Sequence, residues 1–288
     1  MNRYRVLFLH LRLNWQLMLM PIFLWGFVLS GGEVGFKFWL GLFVFHVMFY
    51  GGSVAFNSYY DQDEGPIGGL WSPPQPTREL LIFSLVIQIV GLGLMPLINL
   101  PILVLALVMF ALSTAYSHPA VRLKSHPWAS LLTVSIGQGV GGAMAGWLCG
   151  VDGWATLLST RAVLGLLTSA LFTTGFYPLT QLYQRDEDQR RGDITFAVRW
   201  GERTFVFAIA CMLAAAVGGA IVLWDFASPL EAALAAGGLV GLAGAVYGWW
   251  QSFDGGQMRQ NYKRMMGFGY LMSMASLVYL AWHLVQRG

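Results

Sequence analysis

Two short stretches of the chain combine side-chain amides and carboxylates at a spacing that could hold a divalent cation. In the first stretch Asn57 precedes Asp61 by four residues, and in the second Gln184 precedes Asp188 by four. Residues four apart lie one turn apart on the same face of an α-helix. Each pair would therefore present an amide and a carboxylate together. Oxygen ligands of this kind suit Mg²⁺, which is usually held by one or two carboxylates together with substrate phosphates.

Further charged side chains surround both pairs. Asp63 and Glu64 follow Asp61, while Asp186 and Glu187 precede Asp188. Lysine and arginine bind phosphate oxygens well, arginine through two parallel hydrogen bonds. The basic residues close to the two stretches are Arg78, Arg122, Lys124, Arg190 and Arg191. A solvated helix end is the alternative interpretation of either stretch alone, but two matching stretches favour a binding site.

The elements that position these residues are membrane helices. The chain has 288 residues, of which 56% are apolar and 11% charged, and its mean hydropathy is +0.58. In soluble domains about 45–50% of the residues are apolar and about 25% are charged. A solvated enzyme, a disordered protein and a disulfide scaffold are therefore excluded, and a net charge of +3 gives no case for nucleic acid. Cys149 and Cys211 lie far apart in apolar stretches and are expected to be buried thiols.

Nine apolar runs are long enough to cross a bilayer core, which takes about 20 residues as a helix. They lie near residues 14–31, 37–56, 79–98, 101–117, 127–149, 161–183, 203–224, 230–252 and 265–285. The runs are continuously apolar rather than alternating, which favours helices over a membrane barrel. We therefore predict an all-α membrane protein of nine transmembrane helices in a single polytopic domain, 1–288, with residues 253–264 as a polar cytoplasmic loop.

The basic residues indicate the orientation of these helices. With the N-terminus in the cytoplasm, 14 of the 17 Lys and Arg residues fall on the cytoplasmic side, and the exceptions are Lys37, Arg161 and Arg287. This asymmetry is the established signal of membrane topology. Seven of the acidic residues form two clusters, 61–64 and 186–193, at the cytoplasmic ends of the second and sixth helices. These helices occupy equivalent places in two successive four-helix units, which a ninth helix follows.

With these motifs the sequence resembles the UbiA superfamily of intramembrane prenyltransferases. Asn57-x-x-x-Asp61 matches the start of that family's first Asp-rich motif, which here covers 57–65. Asp188-x-x-x-Gly192-x-x-Thr195 matches the end of the second motif, within 184–195. A third match is the tyrosine and basic motif after the fourth helix. It reads Tyr116-Ser117-His118-Pro119 followed by Arg122-Leu123-Lys124. The resemblance spans nearly the whole chain.

Two positions depart from the family pattern. Gly65 stands where the first motif ends on Asp, so Asp63 or Glu64 must supply that ligand. Gln184 stands where the second motif begins with Asp, so Asp186 or Glu187 takes that role. The spacing does not choose within either pair.

The resemblance implies an Mg²⁺-dependent transfer of a prenyl group from an isoprenoid diphosphate to a lipophilic acceptor through an allylic carbocation. The acceptor would be an aromatic quinone precursor, a tetrapyrrole or another lipid. The expected catalytic residues are Asp61, Asp188 and Lys124. The expected metal ligands are Asn57, Asp61, Asp63, Glu64, Asp186 and Asp188. The expected substrate-binding residues are Asn57, Arg78, Tyr116, Arg122, Lys124, Tyr177, Gln181, Gln184 and Arg191.

The expected partners are the diphosphate donor, the lipophilic acceptor and membrane lipid, without nucleic acid, for a monomer or weak oligomer. We expect a multi-pass protein of a bacterial cell membrane with its active site facing the cytoplasm. A multi-pass secondary transporter is the alternative, as is a catalytically altered family member. Coupling carboxylates of a transporter would lie near the bilayer midplane, whereas nearly every acidic residue here lies at the end of a span.

Overall fold

The structure is a computed structural model that describes residues 3–286, so Arg287 lies outside the described residues. Within that range we number twelve α-helices. They are α1 (Arg3–His10), α2 (Leu13–Ser30), α3 (Phe36–Asp61), α4 (Arg78–Leu97), α5 (Leu100–Ser117), α6 (Pro127–Gly150), α7 (Thr160–Leu179), α8 (Arg185–Arg191), α9 (Phe196–Trp200), α10 (Arg203–Phe226), α11 (Pro229–Gln251) and α12 (Met258–Val285).

The prediction of an all-α membrane protein is confirmed. Among the described residues, nine helical stretches are long and apolar enough to cross a membrane, the first being α1 and α2 taken together as Arg3–Ser30. No strand is formed there, and Ile67 and Leu70 make an isolated β-bridge. Cys149 and Cys211 are free thiols, as expected, but only Cys149 is buried, whereas Cys211 is half-buried.

Several helices begin where a side chain caps the exposed backbone amides. The side chains of Asn99, Ser159, Thr195 and Ser228 accept hydrogen bonds from the amides of Ile102, Ala162, Val198 and Glu231 respectively. Such caps satisfy backbone donors that have no partner inside the helix. In this way polar residues at the ends of apolar runs fix where α5, α7, α9 and α11 start.

The chain forms two compact units. The first contains residues up to Leu123 together with Ala145–Trp154 and the chain from Ser273 onwards. It therefore holds the first four spans, and in it α6 approaches α2 so closely that a Cβ on Gly146 would overlap the carbonyl of Phe23.

The second unit contains Lys124–Met144 and Ala155–Met272. In it α6 packs against α7, and a Cβ on Gly139 would lie 2.9 Å from Cα of Ala170. Ser135 and Thr174 share a hydrogen bond of 2.6 Å beside this contact.

Two predicted element boundaries are wrong. The last helix starts at Met258 rather than 265, so more than half of the expected loop over 253–264 is helical. Hydropathy marks the apolar part of a helix, whereas its polar first turns are held by hydrogen bonds from Asn261 to the Asp254 carbonyl and from Arg264 to Ser252. The sixth span ends at Leu179, and the second acidic cluster lies on the separate helix α8.

Candidate active site

The first acidic motif lies at the end of α3, where the spacing predicts it. Asn57 and Asp61 both lie in the last turns of this helix, which ends as Gln62 adopts a left-handed conformation with φ 49°. The amide nitrogen of Asn57 donates to the hydroxyl of Ser117 at 3.0 Å. This bond holds the amide nitrogen, so the carbonyl oxygen of Asn57 is the atom that can act as a ligand.

The carboxylate of Asp61 is shielded and faces a basic side chain. Its side chain is 8% exposed, and Nη1 of Arg122 lies 4.0 Å from its Oδ1. Arg122 adopts a left-handed backbone with φ 45° just after α5. Of the two candidate ligands that follow, Asp63 is buried and Glu64 exposed. The structure thus places Asn57, Asp61 and Arg122 together.

The second acidic motif is built on α8 and the turn that follows it. The backbone amide of Asp188 donates to the carbonyl of Gln184 at 2.9 Å, which puts these residues one turn apart. The helix ends at Gly192, whose φ of +81° favours glycine. Thr195 Oγ1 then donates to Oδ2 of Asp188 at 3.1 Å. One oxygen of the Asp188 carboxylate is therefore oriented by the chain itself.

The other charged residues of this motif differ in their surroundings. Glu187 is buried and pairs with Arg191 at 2.6 Å, whereas Asp186 is exposed. Asp193 is also buried. The pKa of Asp188 is raised to about 7, chiefly by burial and also by the nearby Asp193, while Thr195, Lys124 and Arg191 act in the opposite direction. A carboxyl group with such a perturbed pKa is typical of a functional site.

The basic motif divides between the two acidic motifs. Arg122 lies beside Asp61, while Lys124 is buried in a short 3-10 turn and is among the charges that act on Asp188. The carbonyl of the adjacent Ser125 accepts the backbone amide of Ile194 at 3.1 Å. Each acidic motif is thus accompanied by one cation of the basic motif.

The remaining predicted substrate-binding residues have varied surroundings. Tyr116, Tyr177 and Gln184 are half-buried, and Arg78 is exposed at the start of α4. Gln181 is buried, and its Oε1 accepts the backbone amide of Ala197 at 3.2 Å. This bond gives Gln181 a role in holding α9 in place.

Two residues of the motifs that were not predicted as site residues contact the candidate ligands. Ser117 fixes the amide of Asn57, and Thr195 fixes the carboxylate of Asp188. The signal for Thr195 was present in the sequence, since it ends the second motif and a threonine directly before a helix is a common N-cap. Ser117 is 60 residues from its partner, and no local pattern indicates such a contact.

The oxygen ligands of the motifs fit Mg²⁺ if substrate completes its coordination. Within residues 3–286, no three His, Cys, Asp or Glu side chains are grouped so that they could hold a metal ion on their own. Mg²⁺ usually keeps several waters and binds one or two carboxylates plus substrate phosphates. The pairs Asn57–Asp61 and Gln184–Asp188 supply ligands of this chemistry.

Comparison with known proteins gives a consistent result. The chain matches the model of the UbiA prenyltransferase family over residues 19–281. No curated protein sequence matches it significantly.

Several solved structures share its fold. A UbiA homolog from Archaeoglobus fulgidus bound to GPP and Mg²⁺ has a TM-score of 0.73 at 18% identity, covering 97% of this chain and 99% of that one. A structure of digeranylgeranylglyceryl phosphate synthase in membranes has a TM-score of 0.69 at 16% identity, covering 99% of each chain. The apo structure of a UbiA homolog from Aeropyrum pernix K1 has a TM-score of 0.64 at 17% identity and covers 92% of this chain and 97% of that one. Because the family model covers most of the sequence, the chain belongs to the UbiA prenyltransferase family.

Proposed function

We propose that this protein is a multi-pass membrane enzyme that transfers a prenyl group from an isoprenoid diphosphate to a lipophilic acceptor in the presence of Mg²⁺. The observation that carries the proposal is the shielded carboxylate of Asp61, one helical turn from the held amide of Asn57 and facing Arg122. Structural relatives support the donor class, since Archaeoglobus homologs were solved with DMAPP or GPP together with Mg²⁺. The acceptor would be an aromatic quinone precursor, a tetrapyrrole or another lipid.

The reaction breaks the bond between the allylic carbon and the diphosphate oxygen, and the diphosphate leaves with the electron pair. The resulting allylic cation forms a bond with the acceptor, which loses a proton. Bound Mg²⁺ would neutralise the charge that develops on the departing diphosphate. At the first motif Asp61 would hold metal, with further ligands from Asn57 and from Glu64 or Asp63. At the second motif Asp188 would do so, together with Asp186. Arg122 and Lys124 would add hydrogen-bonded positive charge to the phosphate oxygens.

The apolar helices have their own part in this chemistry. An allylic cation reacts with water, and a chamber among membrane helices excludes water from it. Aromatic rings stabilise a cation by about 0.5–2 kcal/mol each, and 15% of the residues are Phe, Trp or Tyr. The excess of basic residues on one side of the spans supports an active site that opens towards the cytoplasm.

The test is the thermal stability of the purified protein in detergent with geranylgeranyl diphosphate, with Mg²⁺, and with both. A ligand that binds only the folded state raises its stability by mass action. We expect a rise in Tm that needs both components and that Asp61→Asn and Asp188→Asn abolish together with turnover. Asp152→Asn is the matched control, because Asp152 is paired with Lys37 and belongs to neither motif. A shift that survives in both motif variants would refute the proposal.

A further inference from the structure

The break between α1 and α2 brings a buried cation to the first acidic motif. Arg12 separates the two helices and has a left-handed backbone with φ 47° and ψ 51°. Residues other than glycine seldom adopt this conformation. Arg12 as a whole is nevertheless only 7% exposed. Burial of a guanidinium is unfavourable unless hydrogen bonds or opposite charges compensate it. The groups that bind the guanidinium of Arg12 therefore indicate its role.

The guanidinium of Arg12 is bound to the helix turn that carries the expected metal ligands. Its Nη2 donates to Oγ of Ser58 at 2.6 Å. Ser58 is itself buried, and its hydroxyl donates to the carbonyl of Val54 at 3.0 Å, one turn earlier in α3. Ser58 directly follows Asn57 and precedes Asp61 by three residues. Arg12 is therefore attached to α3 between the two ligands.

The same break also holds the chain downstream of the acidic residues. Nε2 of His10 lies 2.9 Å from the carbonyl oxygen of Pro74, and the amide of Asn14 donates to the carbonyl of Gly69 at 2.7 Å. Gly69 has a φ of +83°, and a Cβ there would lie 2.7 Å from Oδ1 of Asn14. Residues 61–64 are thus enclosed between two anchored segments, the end of α3 and the loop 66–74.

We propose that Arg12 is a positioning residue for the first acidic motif, acting through Ser58 to set the affinity of Asn57 and Asp61 for the metal. This role of Arg12 rests on the proposed prenyltransferase function, so its test must distinguish a failure of the one from a failure of the other. Removal of the cation would let the last turn of α3 shift, and metal binding is sensitive to such small changes in the residues that orient the ligands. A residue that merely stabilises the fold would change Tm and leave the affinity for metal unaltered.

The experiment measures Mn²⁺ binding by electron paramagnetic resonance, on the full-length protein in detergent with inorganic pyrophosphate. The variants are Arg12→Gln, Ser58→Ala and the double substitution. We expect Arg12→Gln to weaken binding by about tenfold or more, since hydrogen bonds from charged groups are the stronger ones. Because both substitutions break one contact, the double variant should bind Mn²⁺ about as weakly as Arg12→Gln alone.

Arg264→Gln is the matched control. Arg264 also donates to a serine, Ser252 at 2.9 Å, and neither of these residues belongs to an acidic motif. The inference is overturned if all three variants bind Mn²⁺ as tightly as the wild type while Asp61→Asn does not. If the wild type binds no Mn²⁺, the proposed function fails as well. If Arg12→Gln does not fold, Ser58→Ala and Ser58→Val decide, because both keep the cation and remove its acceptor.

Discussion

Thr195 and Asp188 are joined by a hydrogen bond that also belongs to the start of a helix. The hydroxyl of Thr195 donates to Oδ2 of Asp188 at 3.1 Å and accepts the backbone amide of Val198 at 3.4 Å. The orientation of the carboxylate is therefore linked to the position of α9. That helix is held in turn by Gln181 and by the ring of Phe196, which packs on Trp128 of α6 with the ring centroids 5.6 Å apart.

Substitution of Thr195 should separate orientation from folding. We expect Thr195→Val to lower kcat/KM for the diphosphate by about tenfold, because a net hydrogen bond to a charged group contributes about 1.5–3 kcal/mol. Thr195→Ser keeps the hydroxyl and should stay close to the wild type. Steady-state kinetics with both variants checks this, and equal activities of the serine and valine variants would contradict it.

The raised pKa of Asp188 predicts a cost in stability at neutral and alkaline pH. Its pKa is about 7 in the folded protein against 3.8 as the ordinary value. Between these values the folded state keeps a proton that the unfolded state has lost, so stability falls as the pH rises from about 4 to about 7. Above pH 7 the full penalty of a buried charge is present.

Asp188→Asn should therefore melt at a higher temperature than the wild type at pH 8 in EDTA. The difference in Tm should shrink as the pH falls from 7 towards 4, because the folded wild type then keeps its proton and no longer buries a charge. Asp186→Asn is the control, since Asp186 is exposed on the same helix. If Asp188→Asn melts at a lower temperature than the wild type at pH 8, burial of the charged Asp188 carboxylate does not destabilise the folded protein.

Lys124 should matter for the diphosphate rather than for the acceptor. It is buried and acts on Asp188, so we expect Lys124→Gln to raise the inhibition constant of inorganic pyrophosphate by about tenfold, as for loss of a charge-assisted bond. The KM for the acceptor should change little. Lys263→Gln removes an exposed lysine of α12 and serves as the control. Equal losses of affinity for both substrates would argue against this assignment.

The close packing of α6 on α7 gives a prediction about stability alone. Gly139→Ala would place a methyl group 2.9 Å from Cα of Ala170 and 3.1 Å from the Ser169 carbonyl oxygen. Overpacking of this kind costs about 1–3 kcal/mol, so Tm should fall. Gly137→Ala lies two residues away, where a Cβ meets nothing within 4 Å. Its Tm should match the wild type, and similar losses in both variants would exclude steric overlap as the cause.

The sequence predicts the spans of this protein well because lipid imposes a simple rule on them. A run of apolar residues long enough to cross the bilayer has to be a helix, and all nine predicted runs coincide with helices within the described residues. Where polar side chains decide, the prediction is poorer. Met258–Arg264 is helical despite its charge, and the helix α1, which Arg12 separates from α2, lies before the first predicted span.

For the candidate site, too, some features could be predicted from the sequence and others could not. The pair Asn57 and Asp61 could be placed on one helix face because their spacing is local. Contacts between distant parts of the chain could not be predicted, as those of Asn57 with Ser117 and of Arg12 with Ser58 show. The backbone amide of Ala197 donates to the side-chain oxygen of Gln181, a contact that its position in an apolar run did not indicate, and its role in binding substrate stays a prediction.

The wide turn within α3 affects how this sequence can be aligned with others. Val44–Tyr50 is π-helical, with hydrogen bonds that reach five residues back instead of four. Such a turn contains one residue more than an ordinary turn, and so it rotates everything that follows about the helix axis. Asn57 and Asp61 follow it within 11 residues of Tyr50. An alignment with a relative whose second span is regularly α-helical therefore needs a one-residue gap within 44–50 to keep both motifs in register.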